Sequence, residues 1–434
     1  MSILNLLPFM ITFLGAYFLI KLRFFFIVHP IKTLKKIGNI VKDGSSRKSL
    51  ALALAGTLGV GNIVGVAYGI SVGGPGSLFW IFISGIFASV IKYAESALAA
   101  DNLCDGRGGM MYAVRSSFSK IGAPLGAAYA FLCLMLSLSM GSSLQSQSAV
   151  NAVNHTLKIN PVILSVFFAL LVAAVIRGGA KKIENATAII IPLSTVVYII
   201  ICLSVVFHNV ESIPSVLSSV MADAFNFESA SGGVSAFLAS KAMKEGYARG
   251  LLSNEAGAGT SSMAQTRSKN FAPSDIGLLG ACEVFFDTSL LCMLTGFAVL
   301  VSGVDTFCGK SGMAIVSEAV CKSLGGGAEA VLFLLVTAFA YSTVVCWYYY
   351  GCECIKYLFK KERSLIFGTL FVLSAFIGFA VSSSLLIAVT DYVLFLMSVI
   401  TLLVLIKNSE RVVRLSEQNG LLKKSDIGKK LVPR

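Results

Sequence analysis

Thr57, Gly59, Gly61 and Asn62 stand inside an apolar run, Ala53–Gly74, that carries seven glycines. Each glycine weakens a helix by about 1 kcal/mol relative to alanine, so the sequence expects the helix to open at Gly56–Asn62. In lipid, an opened backbone survives only where protein or a water-filled cavity covers it. Its unpaired N–H groups and carbonyls are then available to a ligand. N–H groups at the positive end of a half-helix suit a carboxylate, and freed carbonyls suit an ammonium or a hard cation. Taken alone, such a stretch also reads as a helix that packs closely through small residues.

A second stretch, Ser253–Ser262 (SNEAGAGTSS), repeats this mixture of glycine, hydroxyls and one asparagine. It closes a segment that contains Lys241, Lys244, Glu245, Arg249 and Glu255. Facing lipid near a helix centre, each charge would cost about 2.5–3.5 kcal/mol, so the segment must lie inside protein or in a soluble loop. The Asn254 side chain and carbonyls freed through Gly257 are expected to receive an ammonium. Asp287, in the next apolar span, is expected to pair with a buried cation such as Arg249, to help a cation site or to carry a proton. Glu95 is expected to pair with Lys92, three residues before it.

Other chemistry is poorly supported. His29, His155 and His208 fall in expected loops or span ends, and the ten cysteines show no metal-ligand spacing. Cys352 and Cys354 form a lone C-x-C, while Cys308 and Cys321 share one expected outer loop and are candidates for a disulfide. No nucleophile–base set emerges, so the chain is not expected to be an enzyme. No pore-loop filter repeats as a channel would require.

The elements that must hold these residues are membrane helices. Of the 434 residues, 56% are hydrophobic and 13% charged, against about 25% charged in soluble domains. Eleven spans are expected, at about 5–28, 49–72, 77–100, 122–149, 161–177, 185–207, 234–265, 276–302, 328–350, 364–383 and 386–407. Lysine and arginine concentrate in alternate connections, beginning with Lys32, Lys35, Lys36, Lys42, Arg47 and Lys48. That positive-inside pattern puts the N-terminus outside and the C-terminus in the cytoplasm of a multi-pass cell-membrane protein. It also explains the net charge of +13 without nucleic acid. The tail 408–434 is expected to be a solvated or headgroup-facing basic end, and its LVPR terminus resembles a tag remnant.

The two glycine-rich breaks lie five spans apart, an odd number, so they occupy corresponding places in halves of opposite topology. Paired interruptions of this kind point to the binding site of a secondary transporter.

Several blocks resemble the alanine/glycine:cation symporters: Leu54–Trp80 followed by Lys92-Tyr93-Ala94-Glu95, Ile176–Ile183, Ala248–Ser261, Glu283–Gly303 and Ser342–Phe359. They occur in the family's order across residues 50–360. The resemblance implies an all-α, leucine-transporter-like fold of two inverted five-helix repeats, 49–208 and 234–407. An extra N-terminal helix with its basic loop (1–48) precedes them, and an outer loop, 209–233, joins them. It also implies uptake of small neutral amino acids such as alanine and glycine with Na⁺, and no organic cofactor. Gln145 and Trp347 would wall the substrate pocket beside Thr57, Gly59, Gly61, Asn62, Asn254 and Gly257. Carbonyls of Ala55, Leu58 and Phe339 with the Ser342 and Thr343 hydroxyls would cage Na⁺; otherwise those hydroxyls bond back to their own helix. A binding-only sensor, a proton-coupled carrier and a carrier for another amino acid are the alternatives. Where the family commonly has Gly-Gly-Pro-Met-Tyr, this chain has Gly108-Gly109-Met110-Met111-Tyr112 after a shortened loop, a change expected to bear on gating. The sequence sets no oligomeric state.

Overall fold

The computed structural model describes residues 6–226, 241–268, 271–307, 309–360 and 365–422. The start of the seventh expected span (234–240), Cys308 with its proposed pairing, and the LVPR terminus lie outside the described residues. Among the described residues the regular elements are helices, apart from one bridge between Cys104 and Arg107. Six helices are long and apolar enough to cross a membrane, and up to seven spans result if one bent pair counts as a single span. Leu6–Lys21, Pro161–Ile176 and Leu365–Ala380 are shorter apolar helices.

Helix α1 (Leu6–Lys21) precedes the first broken helix. Helix α2 (Gly44–Thr57) begins at Asp43, whose carboxylate accepts the Ser46 N–H at 2.8 Å. Such a cap contributes about 1 kcal/mol. Hydrogen bonds from Ser45 and Ser46 hold the Asp43 carboxyl below its ordinary range. After Thr57 the helix stops, and α3 (Val64–Gly73) follows a single tight turn, Val60–Asn62. The two halves are bent by 65°.

Helix α4 (Ser77–Asp101) is the spine of this region, packed against α8 (Lys241–Asn254) and α9 (Pro273–Val284). Close approach explains the small residues. A Cβ on Gly246 would sit 2.6 Å from that of Trp80, and one on Gly277 would sit 2.8 Å from the Tyr93 ring. Dispersion between closely approached backbones is the main attraction available between helices in lipid. Later glycines of the first stretch have the same use: a Cβ on Gly69 or Gly73 would come within 2.9 Å of Arg249 or Glu245 side-chain carbons on α8.

Helix α5 (Gly122–Leu138) passes through a π-helical segment, Ser139–Leu144, into α6 (Gln145–Leu157). Helix α7 (Gly179–His208) packs on α2 and on α10 (Gly326–Phe359). A second π-helical segment, Phe285–Cys292, continues α9 and contains Asp287. Helix α11 (Ser383–Lys407) runs into α12 (Ser409–Gln418).

The segment 234–265 is interrupted where its glycines lie: α8 ends at Asn254, and only a turn of helix, Ser262–Gln265, resumes. Two expectations change. The 209–233 loop contains a helix, Ile213–Ala224, docked on α4 because Trp80 Nε1 donates to the Ala224 carbonyl at 3.0 Å and the Gly76 N–H donates to Asp223 at 2.7 Å. The tail is also not simply a solvated end. Helix α12 buries Val412 and Leu415, Tyr93 and Ser416 hydroxyls meet at 2.6 Å, and Arg411 forms a two-point pair with Asp101.

Candidate substrate and cation site

The first break releases backbone groups in a defined order. The Gly59 N–H, which would close onto Ala55 in an unbroken helix, donates to the Thr57 carbonyl at 2.8 Å. The Val60 N–H, which would close onto Gly56, points to Gln145 Oε1 at 3.4 Å. The Ala55 and Gly56 carbonyls thereby leave the helical ladder. The Leu58 carbonyl lies 3.4 Å from Thr343 Oγ1, which also donates to the Phe339 carbonyl at 2.9 Å. Ser342 Oγ donates to that same carbonyl at 2.9 Å. The structure thus brings α2's end against the Phe339–Thr343 turn of α10. Both hydroxyls bond back to their own helix here, and Thr343 additionally reaches across.

Gly59 sits between the two groups of expected ligands. A Cβ there would lie 3.2 Å from both amide atoms of Gln145 and from Thr343 Oγ1. At Gly61 an added Cβ would meet nothing within 4 Å, so open space adjoins the break. Thr57 is buried, its hydroxyl 3.5 Å from the Leu54 carbonyl. Trp347 is wholly buried, edge-on to Tyr350 with ring centroids 5.4 Å apart, against Gly141, and its indole N–H has no partner. The π-helical segment before Gln145 is where Gly141 yields room to that indole. Such segments occur frequently at functional sites.

Asn62 and Asp287 join the two broken helices. Asn62 Nδ2 donates to Asp287 Oδ1 at 2.5 Å and to Ser253 Oγ at 2.8 Å. Ser253 Oγ and Thr288 Oγ1 both donate to Asp287 Oδ2 at 2.8 Å. Asn62 Oδ1 is buried and has no partner. Sequence reasoning missed Ser253, although its hydroxyl opens the SNEAGAGTSS stretch.

Two expected ion pairs are not formed. Arg249 does not meet Asp287: it pairs with Glu245 one turn away at 3.3 Å and lies over the Tyr68 ring at 4.7 Å. Four hydrogen-bonding contacts from neutral groups serve Asp287 instead. Lys92 does not pair with Glu95 along its own helix. It reaches Glu283 on α9 at 3.2 Å and Ser261 at 2.7 Å, because the glycine-lined contact of α4 with α9 brings Glu283 nearer than the next turn.

Asn254 and Gly257 are placed differently from the first-break residues. Asn254 Oδ1 accepts the Ala256 N–H and its Nδ2 donates to Thr288, both at 3.0 Å. Gly257, at φ +92°, gives its N–H to Glu95 Oε1 at 2.7 Å and faces Ile11 and Ser398. Of the groups expected to greet an ammonium, the Asn254 side chain is engaged by the protein, and at Gly257 it is the N–H that is held. In the connection after α4, Gly108 abuts Thr266, and Gly109, at φ +140°, abuts Met263. The altered Gly108–Tyr112 segment therefore bears on the far end of the second break. Among the described residues no group of three His, Cys, Asp or Glu side chains is arranged to hold a metal ion.

Comparison with known proteins agrees with this architecture. The chain matches the sodium:alanine symporter family model over residues 1–429. It is 33% identical over 358 residues to the sodium/alanine symporter AgcS of Methanococcus maripaludis, covering 80% of this chain and 78% of that one. It is 30% identical over 356 residues to the amino-acid carrier protein AlsT of Bacillus subtilis, covering 80% and 74% of the two chains. Among solved structures, MhsT in complex with L-phenylalanine superposes with a TM-score of 0.59 at 16% identity, over 88% of this chain and 93% of that one. That likeness shows a leucine-transporter-like fold. The family match leaves neither broken helix outside it, and the chain belongs to the sodium:alanine symporter family.

Proposed function

We propose that this protein imports small neutral amino acids, alanine and glycine foremost, together with Na⁺ by alternating access. The observation that carries the proposal is the meeting of the two breaks through Asn62, Ser253 and Asp287. A cargo seated there touches both helices at once. In this reading the substrate carboxylate takes the N–H groups of the first break, displacing the Gln145 oxygen from Val60. Thr57, Gly59, Gly61 and Asn62 line its course, and Trp347 closes the pocket over the side chain. The Asn254 side-chain oxygen and the carbonyls freed through Gly257 receive the ammonium, Asn254 exchanging the Ala256 N–H for the cargo.

The Na⁺ position is proposed between the Ala55, Leu58 and Phe339 carbonyls and the Ser342 and Thr343 hydroxyls. Rotation of the two hydroxyls away from Phe339 would turn three carbonyls and two hydroxyl oxygens toward one ion, a ligand set suited to a hard cation. Cargo and ion then share the broken α2–α3 helix. Coupling follows if both together favour closure more than either alone. An inside-negative potential of about 100 mV supplies about 2.3 kcal/mol per Na⁺. A tenfold gradient adds about 1.4 kcal/mol, enough together for accumulation of several hundredfold.

The topology belonging to this proposal has eleven spans, counting the three shorter apolar helices and the polar broken helix. The repeats are 49–208 and 234–407, with the N-terminus outside, the C-terminus cytoplasmic and the chain in the cell membrane. The protein is a carrier rather than an enzyme. Uptake of radiolabelled alanine and glycine into proteoliposomes tests this directly, with and without an inward Na⁺ gradient. Na⁺-stimulated accumulation of at least one is expected. Binding without flux would mark a sensor, and neither binding nor flux would reject the proposal.

A further inference from the structure

Behind the second break lies a buried charge cluster that the proposed cargo and sodium positions do not use. Lys92, Glu95, Glu255 and Glu283 are each no more than 1% exposed. Glu283 is fully engaged: Oε1 faces the Lys92 ammonium, and Oε2 accepts from Gln265, whose own oxygen accepts from Ser96. The other two carboxylates are each half engaged. Glu95 Oε1 takes the Gly257 N–H at 2.7 Å, and Glu255 Oε2 takes the Thr260 hydroxyl at 2.7 Å. Glu95 Oε2 and Glu255 Oε1 are buried without a close hydrogen bond, the Gly259 N–H being the further backbone group turned toward the Glu95 carboxylate.

Among the described residues the surroundings offer no second cation. From α4 come Lys92 and Glu95; from the break, Glu255; from α9 and its continuation, Glu283 and Asp287; from α5, Tyr129; and from α10, Cys346 and Tyr350. One ammonium thus stands against three glutamates. A buried carboxylate without compensation costs several kcal/mol, and each idle oxygen adds the penalty of an unsatisfied polar atom. A proton on a carboxylate removes the charge and needs no convergent ligand shell.

We propose that Glu95 and Glu255 form a proton-binding site built into the hinge of the second broken helix. A proton from the aqueous side adds to a carboxylate oxygen and gives a neutral carboxylic acid; no other bond changes. Its mechanical consequence runs through Gly257. An ionised Glu95 grips that N–H with a charge-assisted bond, roughly twice as strong as a neutral one. Protonation therefore loosens α4's hold on the break and ionisation tightens it. Proton occupancy sets how readily the second break rearranges, so the transport cycle is pH-regulated from this site. The transport part of the inference rests on the proposed carrier function; proton binding itself does not.

Wild type and the variants Glu95→Gln, Glu255→Gln and the double variant separate the two, since glutamine keeps the shape but holds no exchangeable charge. The first measurement is the thermal unfolding midpoint of the purified protein in detergent, without substrate, from about pH 5.5 to 8.5. A proton held by the folded chain and released on unfolding makes stability fall as pH rises above the ordinary carboxylate range. Wild type should show that fall, and the variants should flatten it. The second is Na⁺-driven alanine uptake over the same range, expected to fall roughly tenfold in wild type and much less in the double variant. Flat wild-type midpoints, or variant profiles that parallel wild type in both measurements, would overturn the site. Absence of uptake at every pH with an intact midpoint profile would reject the carrier function and leave the proton site standing. If one single variant fails to fold, the other and the wild-type midpoint profile still decide.

Discussion

The two breaks interrupt their helices by different means. The first is short, uncharged and bends its helix by 65°, and its Ala55 and Gly56 carbonyls leave the helical ladder because the Gly59 and Val60 N–H groups turn elsewhere. The second runs from Glu255 to Ser261 and turns on three residues with positive φ: Glu255 at +53°, Gly257 at +92° and Gly259 at +73°. Its backbone is answered by protein at several points: Glu95 on Gly257, and the Tyr129 and Thr401 hydroxyls on the Ala258 carbonyl at 2.6 and 3.4 Å. An interruption with open groups suits a passenger. One whose groups are already held suits a moving joint. The contrast divides labour between halves that the sequence presents as equivalent.

Substitutions can break or sharpen that division. Asp287→Ala should have the largest effect, because it strips Asn62 and Ser253 of their shared acceptor and uncouples the breaks. Uptake should fall at least about 100-fold, equivalent to about 2–3 kcal/mol of lost hydrogen bonding; retention of near-normal uptake would show that the breaks act independently. Next comes Gly257→Ala. A side chain in left-handed backbone costs about 1–2 kcal/mol, and the Cβ would also press Ile11 at 3.0 Å. The unfolding midpoint should drop, whereas Gly61→Ala, which meets open space, should leave it unchanged and reduce alanine uptake relative to glycine. An equal loss of stability in both variants would erase the distinction. The smallest effect belongs to Thr343→Ala, which should raise the Na⁺ concentration for half-maximal uptake about tenfold, or about 1.4 kcal/mol, without a comparable loss of stability. Unchanged Na⁺ dependence would remove Thr343 from the cation site.

Much of the fold was legible because membrane helices declare themselves by length and apolarity, and the breaks because glycine and asparagine are conspicuous inside such runs. The first-break neighbourhood followed, with Gln145, Ser342, Thr343 and Trp347 arriving through family resemblance. Partner choice among charges was not legible. Spacing along one helix suggested Lys92 with Glu95, but the close α4–α9 contact supplies Glu283. Arg249 has a local carboxylate, Glu245, and an aromatic face, Tyr68, and these two engage its guanidinium. The π-helical segments beside Gln145 and around Asp287 were equally hidden, since one extra residue per turn leaves no compositional trace. In α12, Val412 and Leu415 at helical spacing did signal a packed face, but the surrounding charges masked it.

That last helix has a consequence for biogenesis. Ser409 meets Tyr17 across 392 positions at 3.0 Å, and Lys21 pairs with the adjacent Glu410. Arg411, Ser416 and Asn419 close on Asp101, Tyr93 and Asp275 from α4 and α9. A chain made from its N-terminus presents those surfaces long before the residues that cover them exist. Helix α12 therefore acts as a late rivet, set only once α1, α4 and α9 have come together. A nascent or truncated chain lacking α12 is physically distinguishable from one that carries it by an open patch on α1, α4 and α9.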